Sequence, residues 1–362
     1  MRRRVRLRTR GGVVISHPAF KVEPWCLCAT DLDLAVLAQT ESVFALANGN
    51  IGWRGNLDEG EPHGLPGSYL NGVYELRPLP YAESGYGYPE SGQTVINVTN
   101  AKLIRLLVND EPFDVRYGEL RTHERCLDFR AGVLNRSADW ASPAGRAVRV
   151  SSTRVVSFVQ RSIAAICYDV EPLGGSMRVV VQSELVANEQ LPPPGGDPRV
   201  AAVLEAPLVE EAHAAEAAGA GLVHSTRHSG LRIAAVMDHV VDGPGATEVR
   251  AESFPHLARV TVTAVLKPGQ RLRLVKFVAC GWSGSRSLPA VRDQADAALA
   301  QASQTGWDQL LAEQRAYLDA FWTGPTWSST ETPRSSRSCA YRCSTSCRLV
   351  PGPRAEPSRP RA

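Results

Sequence analysis

No run of apolar residues in this chain of 362 residues approaches the length of about eighteen that a membrane-crossing helix needs. The first residues, MRRRVRLRTRGGVVISHP, are basic but lack the apolar stretch of a signal peptide. Phosphate-cradling G-x-x-x-x-G-K-[ST] is missing, and so is a nucleophile elbow of the G-x-S-x-G type, so neither P-loop chemistry nor an elbow-bound serine nucleophile is indicated. Cysteine is thin in the body: Cys26, Cys28, Cys126, Cys167 and Cys280 are dispersed. Cys26-x-Cys28 has the wrong spacing for a zinc ribbon and no second Cys or His pair to complete one. We read these five as reduced thiols of a cytoplasmic protein, so the glycosylation patterns at Asn97 and Asn135 have no consequence. No basic stripe is interleaved with aromatics, which argues against a nucleic-acid-binding core. The net charge of +3 comes from the ends: six arginines and no acid in residues 1–10, seven arginines and two glutamates in residues 323–362. The stretch between is mildly acidic.

What is present is β signal. Short runs such as QTVINVT, SIAAICYDV, MRVVVQSELV, LRIAAVMDHVV, ARVTVTAVL and QRLRLVKFVAC set β-branched residues at alternate positions. Turn signals separate them, among them Asn109-Asp110, Gly174-Gly175 and Lys267-Pro268-Gly269. Many short strands at regular spacing predict a large antiparallel β-sandwich over residues 20–283. The Ala- and Glu-rich stretch VEEAHAAEAAGAG breaks the pattern and reads as a helical or loose, solvated excursion. After Arg286 the period changes. SLPAVRDQADAALAQAS predicts one helix and Thr305 to Trp322 a second, whose apolar face of Trp307, Leu310, Leu311, Leu318 and Phe321 is interrupted by Gln314. Residues 284–322 are thus a helical linker.

The densest feature lies between Glu41 and Tyr88. It centres on ANGNIGWRGNLDEGEPHGLPGSYLNGVYE, with seven glycines and two prolines. That density predicts tight turns with short extended pieces between them. Trp53, Tyr69, Tyr74, Tyr81, Tyr86 and Tyr88 supply ring faces; Arg54, Asn56, Asp58, Glu59 and Asn71 supply directional hydrogen bonds, a pairing that suits carbohydrate. The ordered motifs F-x-L-x-N-G-x-I-G-x-R-G, D-E-G, L-P-G-[ST]-Y-x-N and F-D-V-R-Y-G-E-L (Phe113 to Leu120) resemble the amino-terminal part of glycoside hydrolase family 65, which includes the maltose, trehalose and kojibiose phosphorylases. The resemblance covers roughly residues 20 to 322. It implies a supersandwich, a helical linker and an (α/α)₆ catalytic barrel, the last absent from this chain. It also implies inverting chemistry on an α-glucoside disaccharide, with inorganic phosphate as co-substrate in phosphorylases, no other cofactor, and a homodimer in full-length members. The general-acid glutamate lies in the barrel, so no catalytic residue is assigned here. The alternative is a stand-alone α-glucoside-binding module, and a scaffold or pseudogene product is a third reading.

Within the chain, the loop candidates near substrate are Trp53, Arg54, Asn56, Asp58 and Glu59. Asp58 and Glu59 are neighbours, so on an extended segment they point to opposite sides and do not act together on one bond. Turn capping and an ion pair to Arg54 or another arginine account for them. His63, His123 and Ser68 form no recognisable triad, and His224-x₃-His228 sits in strand-like surroundings rather than on a helix, so no metal is assigned. The tail 323–362 is Ser-, Arg-, Pro- and Cys-rich, reads as disordered, and suits no zinc knuckle because Cys339, Cys343 and Cys347 have no fourth ligand. A one-base shift of reading frame near Thr323 accounts for it; resequencing that stretch of DNA tests the shift. Without a barrel to cover them, Trp307, Phe321 and Trp322 are expected to lie partly exposed and to make the chain poorly soluble.

Overall fold

A computed structural model describes residues 20–78, 87, 91–189, 204 and 206–323. Residues 1–19, expected to be a basic disordered leader, residues 324–362 of the tail with its proposed frame shift, and Tyr81, Tyr86 and Tyr88 lie outside the described residues. Strands β1 (Lys21–Val22) and β2 (Cys26–Ala29) precede a short helix α1 (Leu37–Val43). The Gly-rich stretch follows as short strands joined by turns: β3 (Leu46–Ala47), β4 (Ile51–Trp53), β5 (Ser68–Leu70), β6 (Tyr74–Pro78) and β7 (Ser91–Val95). Next come β8 (Ile104–Val108), β9 (Glu111–Pro112), β10 (Glu119–Asp128), β11 (Val133–Ala141), β12 (Ala147–Val156), β13 (Ile163–Pro172) and β14 (Met177–Val186). The last strands are β15 (Leu208–Glu216), β16 (Gly219–Thr226), β17 (Arg232–Asp242), β18 (Glu248–Phe254), β19 (Leu257–Leu266) and β20 (Leu272–Ser283); helix α2 (Leu288–Thr323) closes the described chain.

These strands build a sandwich. Ten of them form one antiparallel sheet in the order β1-β2-β10-β11-β12-β13-β20-β17-β16-β15, and five form the facing sheet, β18-β19-β14-β8-β9. Period-two alternation shows why. In β19, Ala258, Val260, Val262, Ala264 and Leu266 point inward, with threonines and arginine between them. The middle of the larger sheet is covered on both faces. In β13, Ala164, Ile166, Tyr168 and Val170 enter the inter-sheet core, while Ile163, Ala165 and Cys167 enter a second core under α2.

Four sequence expectations need correction. The stretch VEEAHAAEAAGAG is neither helix nor loose loop: it forms most of β15, the turn and the start of β16, because a ladder of pairs from Leu208↔Thr226 to Glu216↔Gly219, broken by one irregularity at Glu211, overrides the helix preference of Ala and Glu. Cys28 and Cys126 face each other across the β2–β10 ladder and form a disulfide, so they are not two reduced thiols. The linker helix does not depend on a barrel for its apolar side, because Val291, Ala295, Leu299, Ala302 and Leu310 seat it on the outer face of the large sheet. Trp307, Phe321 and Trp322 are partly exposed, as expected, although Trp322 Nε1 donates to the Phe129 carbonyl at 3.2 Å. Gln314 does not interrupt the apolar face but pins it. Fully buried, it accepts from the Phe158 amide at 2.9 Å and donates to the Gly132 and Val156 carbonyls.

Candidate functional site

Strands β4 and β5 are joined by the loop Arg54–Gly67, which folds back over the sandwich interior. Glycine is required where the loop closes on itself: a Cβ on Gly67 would fall 2.1 Å from the Arg54 side chain, and Gly60 has φ of +86°. Five side chains fix the loop's shape. Glu41 of α1, wholly buried, accepts from the amides of Gly64 and Leu65. Arg54 donates to Glu41 at 3.4 Å and to the Ala38 carbonyl at 2.7 Å. Asn56 bridges to the Leu65 carbonyl, Arg125 Nη1 to the Gly55 carbonyl, and Lys102 Nζ to the Gly67 carbonyl and Ser68 Oγ.

Beneath the loop the inward positions of the large sheet turn polar. Register sets Arg125, Arg136, Ser152 and Tyr168 side by side across β10, β11, β12 and β13. The row below carries Arg154 and, across Ile166, Lys276 opposite His239. Asp58 drops into this belt. Its Oδ1 accepts from Arg154 Nε at 2.9 Å and Nη2 at 2.6 Å, and its Oδ2 from Ser152 Oγ at 2.7 Å and Arg136 Nη1 at 3.0 Å. Glu59 takes the other side of the same guanidinium, at 2.5 Å from Nη1 and 2.9 Å from Nη2. Neighbouring acids therefore do act on one partner, but that partner is Arg136; Arg54 is paired with Glu41 instead.

The electrostatics follow from burial and pairing. Burial alone would raise the Asp58 carboxyl, but Arg154 and Arg136 outweigh it and hold it at about 2. His123 is pushed down to about 2 by burial and by Arg136 and Arg125, so it is a neutral ring. Burial, then Arg154, lowers Lys102 to about 7. Among the described carboxyls with a displaced pKa, only Asp296 moves upward, chiefly through partial burial; it sits on the exposed side of α2, one turn from Arg292.

Of the five loop residues singled out from the sequence, Trp53, Asn56, Asp58 and Glu59 are buried and Arg54 is largely so. The exposed part of the loop is its tip, Glu61 to Leu65, where His63 Nδ1 pairs with the Gly60 carbonyl at 2.9 Å. His63, His123 and Ser68 are not brought together: Ser68 bonds Lys102 and Asn100, and His123 bonds Arg136. His224 is buried and stacks on His256, which lies on the exposed turn between β18 and β19, and His228 lies on another exposed turn. Among the described residues the one cluster with metal-ligand geometry is Cys28, Glu124 and Cys126, whose sulfurs are bonded to each other. Sequence reasoning missed Glu41, Lys102, Arg125, Arg136, Ser152 and Arg154. For Arg125, Arg136, Ser152 and Arg154 the signal was a charged or polar residue at the inward parity of a strand; Glu41 on α1 and Lys102 ahead of β8 carried no such signal.

Residues 27–321 match the model of the glycosyl hydrolase family 65 N-terminal domain. An uncharacterized glycosyl hydrolase of Mycobacterium tuberculosis strain H37Rv is 60% identical over 309 residues, which cover 85% of this chain and 39% of that protein. The α,α-trehalose phosphorylase of Thermoanaerobacter brockii is 28% identical over 310 residues, 84% of this chain and 40% of its own. A solved structure described as a kojibiose phosphorylase from the human microbiome superposes with a TM-score of 0.77 at 18% identity, covering 90% of this chain and 42% of that one; this likeness shows the shared fold. The chain thus spans about two fifths of the length of these relatives.

Proposed function

Because this chain belongs to glycosyl hydrolase family 65 through its N-terminal domain, we propose that it is the non-catalytic platform of an enzyme acting on an α-glucoside disaccharide, and that residues 1–362 alone do not turn such sugars over. The observation that carries this is the Asp58–Glu59–Arg136–Arg154 cluster. Inverting glycoside cleavage needs one carboxylic acid that is protonated at working pH, and room for a water or phosphate on the face of the sugar opposite that acid. Asp58, held at about 2, carries no proton to donate. Both carboxylates bond the same Arg136 nitrogen, which leaves no space for a nucleophile between them.

In this reading Trp53, Arg54, Asn56, Asp58 and Glu59 support the loop, and the tip Glu61 to Leu65 borders the sugar pocket of a barrel supplied by further residues. Inorganic phosphate as co-substrate in the phosphorolytic case, a cytoplasmic setting and a homodimeric full-length enzyme belong to the same proposal. Support comes from the names of the phosphorylase relatives; in addition, no described helix is long and apolar enough to cross a membrane. The stand-alone binding module is not favoured, since the loop side chains Trp53, Asn56, Asp58 and Glu59 are turned inward.

The test is an activity assay on purified protein with maltose, trehalose and kojibiose, with and without phosphate. We expect no glucose and no glucose phosphate, and turnover only when the frame after Phe321 is shifted to restore a downstream barrel. Release of either product by residues 1–362 would overturn the proposal.

A further inference from the structure

The three-stranded sheet β3-β4-β5 has two faces with different fates. Ile51, Trp53, Ser68 and Leu70 turn into the core. Gly52 and Tyr69, directly opposite each other in register, turn outward. Around them lies a groove of about 280 Å³, bounded by the turns at Gly49-Asn50 and Asn71-Gly72 and by Val95. This is the end of the sheet away from the loop Arg54–Gly67. Small-molecule sites typically run from about 300 Å³ upward, so the groove suits one or two sugar rings rather than a long chain.

Its lining is chemically narrow. Among the described residues no charged side chain borders it. Tyr69 supplies the ring face, and Gly52 opposite leaves that face uncovered. A Cβ built on Gly52 would find only Tyr69 Cβ at 3.8 Å and Ala47 Cβ at 3.9 Å, so open space lies beyond. At the rim, Asn50 uses its amide nitrogen on the Arg161 carbonyl. Asn71 is exposed, and its amide has no side-chain hydrogen bond among the described residues. The two turns are locked together by the Asn71 amide donating to the Asn50 carbonyl at 2.8 Å. From below, the Trp282 ring lies against Gly72, whose missing Cβ would sit 2.4 Å from Trp282 Cζ2. The rim is therefore preorganised rather than loose.

An aromatic face bordered by neutral amides, with no charge, fits a ligand that is apolar on one face and hydroxylated at its edge. We propose that this groove binds an uncharged hexopyranoside, stacked on Tyr69 with its hydroxyls on Asn71 and Asn50. The claim goes beyond the proposed function, because it assigns a sugar contact to this domain itself and involves no catalytic group.

Saturation-transfer NMR on the full chain, with glucose, maltose, trehalose and kojibiose at millimolar concentration, tests it. Transfer should appear for at least one neutral sugar and stay weak for glucuronate. The variants Tyr69→Ala, which removes the platform, and Gly52→Val, which fills the groove from a position with room for a side chain, should each weaken binding about tenfold or more. Melting temperatures of both variants should stay near that of the parent, which separates blocked binding from misfolding. Absence of transfer from every neutral sugar would overturn the assignment. So would tighter binding of glucuronate, or unaltered binding in both variants. The activity assay and this binding assay fail independently, since turnover can appear or be missing whatever this groove does.

Discussion

Arg136 holds two carboxylates with one guanidinium, all three groups almost wholly out of water. Removing the cation leaves Asp58 buried on Arg154 and strips Glu59 of its ion-pair partner, and breaking such a cluster costs about 3–5 kcal/mol. Arg136→Met should lower the unfolding free energy by that amount in urea titration; a loss under about 1 kcal/mol would mean the carboxylates find water or another partner. Lys102 gives a second readout, in pH. Its folded pKa is about 7 against 10.5 for the free side chain, because burial and then Arg154 disfavour its charge, against the opposing pull of Glu189 and Glu41. Between those two values the unfolded chain binds a proton that the folded chain does not. Stability must therefore rise with pH across that interval, while below about 7 both states are protonated and the slope vanishes. Lys102→Met should flatten the rise, leaving the part contributed by Lys276, which burial also lowers to about 7. Urea midpoints that climb in parallel for the two proteins would show that Lys102 does not titrate this way. Neither residue was legible as part of a site from the sequence. Asp58 and Glu59 stood out because they sit in a recognisable motif, whereas their partners come from strands between 77 and 96 residues later.

At the scale of elements, α2 is two helices joined at Gly306, whose φ of 73° and ψ of 167° fall in a region that essentially only glycine occupies. Nothing lies within 4 Å of a Cβ placed there, so a substitution meets backbone strain and no clash. Gly306→Ala should therefore cost about 1–3 kcal/mol, or straighten the helix and lift Leu310, Gln314 and Leu318 from their seat. Thermal melting reads the first outcome and limited proteolysis near Arg315 the second; an unchanged melt with an unchanged digest would remove the kink as a constraint. The change of period at Arg286 and the break near Thr305 were visible in the sequence, because helix faces are set by local spacing. The same reasoning passed over β10 and β11. Their inward positions include His123, Arg125 and Arg136, so the hydrophobic alternation that marks β19 is missing there. Those strands look like solvated segments only because their polar residues serve the loop above them.

For the molecule as a whole, the sandwich was legible because most of its strands announce themselves, but the way they are tied together was not. Cys28 and Cys126 lie 98 residues apart and look dispersed on paper; the fold sets them opposite each other because β2 pairs with β10 over Cys26 to Ala29. That bond closes a loop spanning β3 to β9, the whole Gly-rich region included. In the chain-entropy account, closing a loop of about 100 residues stabilises the folded state by up to about 4–5 kcal/mol, and typical measured effects are about 2–4 kcal/mol. Cys28→Ser should thus lower the unfolding free energy by about 2–4 kcal/mol under oxidising conditions, and a reducing agent should bring the parent protein down to the level of the variant. The two comparisons must agree, because reduction and substitution open the same loop. If the reducing agent leaves the parent unaltered while Cys28→Ser still destabilises, the thiols were never joined in solution and the buried Cys28 side chain acts by packing alone. If both lose the same stability, the bridge fastens the first strands of the large sheet to the platform on which the Arg54–Gly67 loop is built. The stability of that platform then depends on the redox state of the chain.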